Sequence, residues 1–351
     1  MSGRDFGGTG LTGWDALPRL TAGDAEGNLA PSLTRRDAIR KLAALVAGLG
    51  TPASLLGCGD EGGGGAEPGA EISIVGPTDE PEDESRLHAW VETLRSEGLA
   101  DAGTPFGSAA IRVGELAIGT PYEGFTLEGY IRAGGSPVRS EPLTLSLTEF
   151  DCVSLVEACL AIARVARGAA APSWETFARE MERMRYRGGN RLGYASRLHY
   201  FSDWLHDSER RGLLRMMSGE LGGVPDERPL RFMSANPDAY PAMAYPEVRA
   251  EIAAMERTLD GSPRLVIGTE RIPEITDRLQ SGDILAFATS IRGLDVTHSA
   301  FVYRDPEGIV RVLHAPLSGG VVEVTPTTLE QYVAAIRQST GILVARPLQG
   351  S

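Results

Sequence analysis

Two hydrophobic periods divide the C-terminal two-thirds of the chain. In "LTEFDCVSLVEACLAIARVARG", Leu147 to Gly168, the residues Val153, Val156, Leu160 and Ala163 recur at helical spacing and predict a helix with its apolar stripe against a core. Further on the period falls to two. The stretches "DILAFAT" (283–289), "HSAFVYR" (298–304), "IVRVLHA" (309–315), "VVEVT" (321–325) and "ILVAR" (342–346) predict short strands, separated by turns bearing Gly and Pro. A helix packed on a small antiparallel sheet or barrel gives an α+β fold. The turn "RDPEGI" sets the register of the central hairpin. With Pro306 second, and Gly308 fourth in a left-handed conformation, a three-residue loop pairs Asp305 with Ile309. His298 and His314 then lie at odd offsets from that pair, so they share one sheet face as diagonal neighbours about 7–8 Å apart.

The N-terminal part reads differently. "SLTRRDAIRKLAALVAGLGTPASLLGCG" carries Arg35, Arg36, Arg40 and Lys41, followed by an uncharged run from Leu42 to Leu56. It resembles a twin-arginine export signal, with Ala38 where an aromatic is usual, and "LLGC" resembles a bacterial lipobox that lipidates Cys58. Residues 1–58 are therefore expected to form a lipoprotein signal. Residues 59–84, rich in Gly and acidic side chains, hold too little apolar surface to fold and are expected to form a disordered tether. The catalytic domain is expected at 85–351, and the protein to be exported, membrane-anchored and periplasmic.

Composition narrows the function. A chain of 351 residues with 42% hydrophobic residues can bury a sizeable core, and a formal charge of −13 leaves no basic stripe for nucleic acid. There are three cysteines. With Cys58 lipidated, Cys152 and Cys159 remain about 10 Å apart along one helix, beyond disulfide reach. Cys159 sits among apolar residues and reads as core. Cys152 follows Asp151 at the helix start, where free amides and the helix dipole favour a thiolate and offer part of an oxyanion hole. "SLTE", Ser146 to Glu149, also reads as a capping box one turn earlier. Of five histidines, His88 and His206 read as surface or packing residues. His199 lies among Arg197, Tyr200, Asp203 and Trp204, a polar setting suited to a ligand. His298 and His314 are left as candidates for the base.

"FDCVSLVE", "DVTHSAFVYR" and "VLHAP", with "LAIGTPYEG" upstream, resemble the ordered Cys, His and third polar residue of the NlpC superfamily of papain-like cell-wall cysteine peptidases and amidases. "RMRYRGG", "SRLHYFSDW", "LQSGDI", "GLDVTH" and "VARP" resemble its N-acetylmuramoyl-L-alanine amidase-like branch, over roughly residues 105 to 348. Ser154 replaces the commoner threonine, and Pro316 and Leu317 replace small residues. The resemblance implies a papain-like fold, with an insertion near 173–275 that shapes the cleft. It implies Cys152 as nucleophile, His298 as base, and His314 orienting the His298 ring. The bond cut would join N-acetylmuramic acid to L-Ala of peptidoglycan or a muropeptide. Tyr122, Asp151, Arg197, His199, Tyr200, Asp203, Trp204, Asp295 and Thr297 become candidates for gripping substrate. No cofactor is implied, and a monomer is expected.

Other readings give different chemistry. Asp295, His298 and His314 could ligate zinc in a metal-dependent amidase, which leaves Cys152 without a role. Relatives in the superfamily cut within the stem peptide, and a non-catalytic wall-binding lipoprotein is a further alternative.

Overall fold

The computed structural model describes residues 74–75, 80–317 and 320–350. The expected signal, Cys58 and most of the tether lie outside the described residues. The first helix, α1 (Glu80–Ser96), already includes the last five residues assigned to the tether, and Ile74–Val75 pairs in parallel with Leu143–Thr144. The folded part therefore starts earlier than residue 85.

The remaining longer helices are α2 (Phe106–Leu116), α3 (Cys152–Arg167), α4 (Trp174–Arg185), α5 (Phe201–Arg210), α6 (Pro246–Thr258) and α7 (Leu329–Ala335). Eight strands form one antiparallel sheet: β1 (Leu214–Met216), β2 (Val224–Asp226), β3 (Arg264–Gly268), β4 (Ile284–Thr289), β5 (Val296–Arg304), β6 (Val310–His314), β7 (Glu323–Val324) and β8 (Ser339–Pro347). Their order is β2-β3-β8-β4-β5-β6-β7, and β1 pairs with the end of β8. The protein is thus a mixed α+β fold with an antiparallel sheet. The segment expected as an insertion contributes strands β1, β2 and β3 to the sheet.

Helix α3 is the centre of the molecule. Every residue from Leu155 to Ala166 is buried, so the helix has no solvent face and the expected stripe understates its burial. It packs on α1, α2 and α4 on its outer sides and on β5 of the sheet. Ile284, Ala286, Ala288, Phe301, Leu313 and Leu343 form one core with it. The alternate residues Leu285, Phe287, Ala300, Val302, Val312 and Val344 pack with Leu329 and Val333 of α7 on the other side.

Charged side chains lock these layers together. Arg185 binds Glu157 at 2.8 Å and the Thr144 carbonyl at 2.6 Å, tying α4 to α3 with both charges buried. The "LQSGDI" turn depends on two glycines. Gly282 has φ +87°, and a Cβ there would lie 2.1 Å from the Gly107 carbonyl.

Candidate active site

Cys152 is the first residue of α3, and Asp151 is its N-cap. The Asp151 carboxylate accepts from the Val153 and Ser154 amides at 2.9 and 2.7 Å, while the Ser154 hydroxyl accepts from the Asp151 amide at 2.8 Å. The capping box is therefore Asp151–Ser154. Ser146 accepts from the Thr148 and Glu149 amides without starting a helix. The Asp151 oxygen Oδ1, expected to grip substrate, is taken up by the cap.

The hairpin carrying the histidines closes at Asp305 and Ile309. Asp305 N–H donates to Ile309 O at 3.0 Å, and Gly308 has φ +83°. Pairing of Arg304 with Val310 and of Phe301 with Leu313 makes His298 and His314 diagonal neighbours on one face. The two rings meet: His298 Nε2 lies 2.8 Å from His314 Nδ1. Phe287 stacks on His298 with centroids 5.6 Å apart. His298 Nδ1 is buried and has no partner among the described residues.

A bulge directs His298. Phe287 pairs with His298 but Ala288 pairs with Val296, leaving Thr297 as the extra residue just before the histidine. The following residue, Ser299, faces α3. Its hydroxyl donates to the Cys152 carbonyl at 3.0 Å, and its backbone N–H also approaches the thiol. The thiol thus sits against the peptide link between His298 and Ser299.

The electrostatics oppose the expected thiolate. Burial pushes the Cys152 thiol up to about 12, the Asp151 charge adds to this, and contacts to Ser299 only partly oppose it. Burial lowers His298 to about 3, with His314 contributing, and lowers His314 to about 4. These directions favour a neutral thiol beside neutral imidazoles over an ion pair in the unliganded protein. The helix-end amides that would stabilise a thiolate are partly claimed by Asp151.

Tyr122 and Tyr332 complete the cluster. Burial raises both hydroxyls, Tyr332 to about 12, and in each case a thiolate at Cys152 would be the next contribution. Tyr332 Oη lies 3.3 Å from His314 Nδ1. Sequence reasoning missed Tyr332, Ser299 and Glu323. Tyr332 lies in the late helix α7, which the strand pattern had hidden.

Several candidates are bound up inside the protein instead. Arg197 donates to Glu128 at 2.6 Å and lies 3.2 Å from Glu141. Tyr200, 2% exposed, donates to Glu256 at 2.7 Å, and Trp204, 1% exposed, stacks on Phe201. Asp203 is held by Arg187 at 2.6 and 3.0 Å. Asp295 accepts from the Ser202 amide at 2.8 Å and from Val296, capping α5 and anchoring the start of β5. These five brace the domain, and their partners explain why polar residues are buried there. His199 lies half-buried with Nε2 2.8 Å from the Tyr194 carbonyl, and burial holds it neutral. Cys159 is buried in the core. With the Asp295 carboxylate turned to these amides, it does not join the histidines as a metal ligand. Among the described residues, no group of three or more His, Cys, Asp or Glu side chains could hold a metal ion.

Residues 112–342 match the AmiA-like family, described as N-acetylmuramoyl-L-alanine amidase-like. The chain belongs to this family. Among solved structures, an N-acetylmuramoyl-L-alanine amidase from Bacteroides uniformis is 29% identical, with a TM-score of 0.63 over 69% of this chain and 99% of that one. A Bacteroides fragilis protein described as a candidate xylanase is 33% identical, with a TM-score of 0.61 over 67% of this chain and 99% of that one. A Legionella pneumophila protein of 18% identity shares the fold, with a TM-score of 0.54 over 77% of this chain and 95% of its own. No curated protein matched. Membership in the AmiA-like family marks the chain as a hydrolase of the amidase type, with a cell-wall amide as the substrate class.

Proposed function

We propose that this AmiA-like chain is a cysteine amidase of the papain-like NlpC superfamily, cutting the amide between N-acetylmuramic acid and L-Ala of peptidoglycan or muropeptides. The observations that carry the reading are the His298–His314 hydrogen bond and the seating of Cys152, at the start of α3, against Ser299, the residue next to His298. His298 uses Nε2 on His314, which leaves Nδ1 as the nitrogen that can accept a proton. In the proposed reaction Cys152 attacks the amide carbonyl as its proton moves to His298 Nδ1. The Cys152 amide, which the cap does not take, is the proposed donor to the developing oxyanion. His298 then returns the proton to the leaving amine, and water hydrolyses the acyl-enzyme.

A glycosidase reading, raised by the Bacteroides fragilis relative, would need two carboxylates flanking the scissile bond. Asp151 and Asp295 are committed to backbone amides, which disfavours it. The test is hydrolysis of a defined muropeptide in the presence of a chelator, with and without alkylation of Cys152 at pH 9. Activity that survives chelation and is lost on alkylation supports the cysteine mechanism, and the reverse pattern rejects it.

The proposal includes export and anchoring through Cys58 in the periplasm, supported by the lipobox-like "LLGC". A Cys58→Ser protein should leave the membrane fraction while the catalytic domain stays folded. An unchanged membrane fraction would count against anchoring.

A further inference from the structure

The histidine pair works only in one arrangement of protons. If His298 is to accept at Nδ1, its own N–H must be on Nε2 and must donate to His314 Nδ1 across their 2.8 Å contact. The His314 proton must then sit on Nε2. In the opposite tautomer His314 Nδ1–H donates to His298 Nε2, and His298 Nδ1 carries a proton where it needs a lone pair. Both forms satisfy the same hydrogen bond, so the pair alone does not choose between them.

The choice falls to what surrounds His314. Its Nε2 is buried and has no hydrogen-bond partner within 3.5 Å among the described residues. The group facing it is Glu323, paired directly across β6 and β7, with Oε1 3.7 Å from Nε2. On the other side Tyr332 Oη lies 3.3 Å from Nδ1, and its ring meets the His314 ring edge-on at 5.2 Å. His314 Nδ1 offers one lone pair or one proton, already engaged with His298, so in either tautomer the Tyr332 hydroxyl can only share that bond and does not choose between the forms. A carboxylate only accepts. Glu323 therefore favours the form with hydrogen on Nε2, either directly or through one bridging water at this separation.

We infer that Glu323 is a positioning residue that sets the tautomer of His314 and so keeps His298 Nδ1 free to take a proton. The inference rests on the proposed roles of Cys152 and His298. Glu323 touches no reacting atom. Its side chain is about half exposed, at 49%, so its replacement should leave the fold intact.

The test uses the full chain labelled with ¹⁵N-histidine, with His314 assigned by comparison with His314→Asn. In the native protein His314 Nε2 should resonate as a protonated nitrogen and Nδ1 as an unprotonated one. Glu323→Ala should mix or reverse that pattern and lower kcat roughly tenfold at nearly unchanged KM, a fraction of what general acid–base catalysis supplies. Glu323→Gln keeps an acceptor oxygen and should restore both the pattern and most of kcat. A Glu323→Ala protein with the native tautomer and native kcat overturns the inference. The spectrum needs no turnover, so a native protein inactive on muropeptides but showing the expected tautomer counts against the proposed function while upholding the role of Glu323.

Discussion

His298 Nε2 lies 2.8 Å from His314 Nδ1, so the two rings are coupled through one hydrogen bond and His298 Nδ1 is the ring nitrogen outside it. Side-chain alternation and the three-residue loop bring the rings together, and the bulge at Thr297 directs the first of them. Cys152, the proposed nucleophile, is held by a separate device, the hydroxyl of Ser299 on its carbonyl.

The roles should separate by mutation. Cys152→Ala and His298→Ala should each lower kcat by roughly a thousandfold or more, and the double variant should be no worse, because the two act as one unit. His314→Asn retains hydrogen-bonding groups and should keep more activity than His314→Ala. Steady-state kinetics on proteins with matched melting temperatures checks this. A fully active His314→Ala protein would assign the orienting role elsewhere.

A thiol held up at about 12 is mostly protonated at neutral pH. Alkylation of Cys152 by iodoacetamide in the free protein should therefore rise about tenfold per pH unit between pH 6 and 10. A rate that is flat between pH 5 and 8 would reveal a resting thiolate and overturn the neutral pair.

Much of the site was legible because its spacing carries geometry. Asp151, Cys152, the two histidines and the turn at Asp305 to Gly308 are each readable from short-range rules of capping and alternation. The internal partners of the proposed gripping residues were not. Arg197, Asp203 and Asp295 are polar residues in a hydrophobic neighbourhood, a composition shared by ligand sites and buried braces. What distinguishes them is a partner distant in sequence, such as Glu128 for Arg197, 69 residues away. The upward shift of the thiol was not legible for a related reason, since the helix end was visible but its surroundings were not. Strands β1 to β3 are too short or too weakly patterned to announce that they join the sheet.

The braces give a stability prediction. Glu157→Ala leaves the buried Arg185 without its counter-charge and should cost about 3–5 kcal/mol, lowering Tm by roughly 10 °C. Thermal melting measures it. A change near zero would mean that Arg185 finds another partner or water.

Acid should weaken the fold through the histidine pair. Burial lowers His298 to about 3 and His314 to about 4, against an ordinary value of 6.5. Between those values the unfolded chain binds more protons than the folded one, so the stability they contribute falls as pH drops below 6.5. Buried carboxylates held above their usual range, such as Glu157 and Asp295, act in the opposite sense. The comparison of native and His298→Gln proteins isolates the histidine term, and Tm should decline less steeply from pH 7 to pH 4 in the variant. Parallel declines would contradict it.

The most direct measurement is mass spectrometry of the products formed from a defined muropeptide by the native protein and by Cys152→Ala. Cleavage by the native protein should release the intact stem peptide beginning with L-Ala, together with the free muramic acid sugar, and Cys152→Ala should leave the substrate whole. A sugar still bearing part of the peptide would place the cut inside the stem, and release of both products by a folded Cys152→Ala protein would contradict the cysteine mechanism itself.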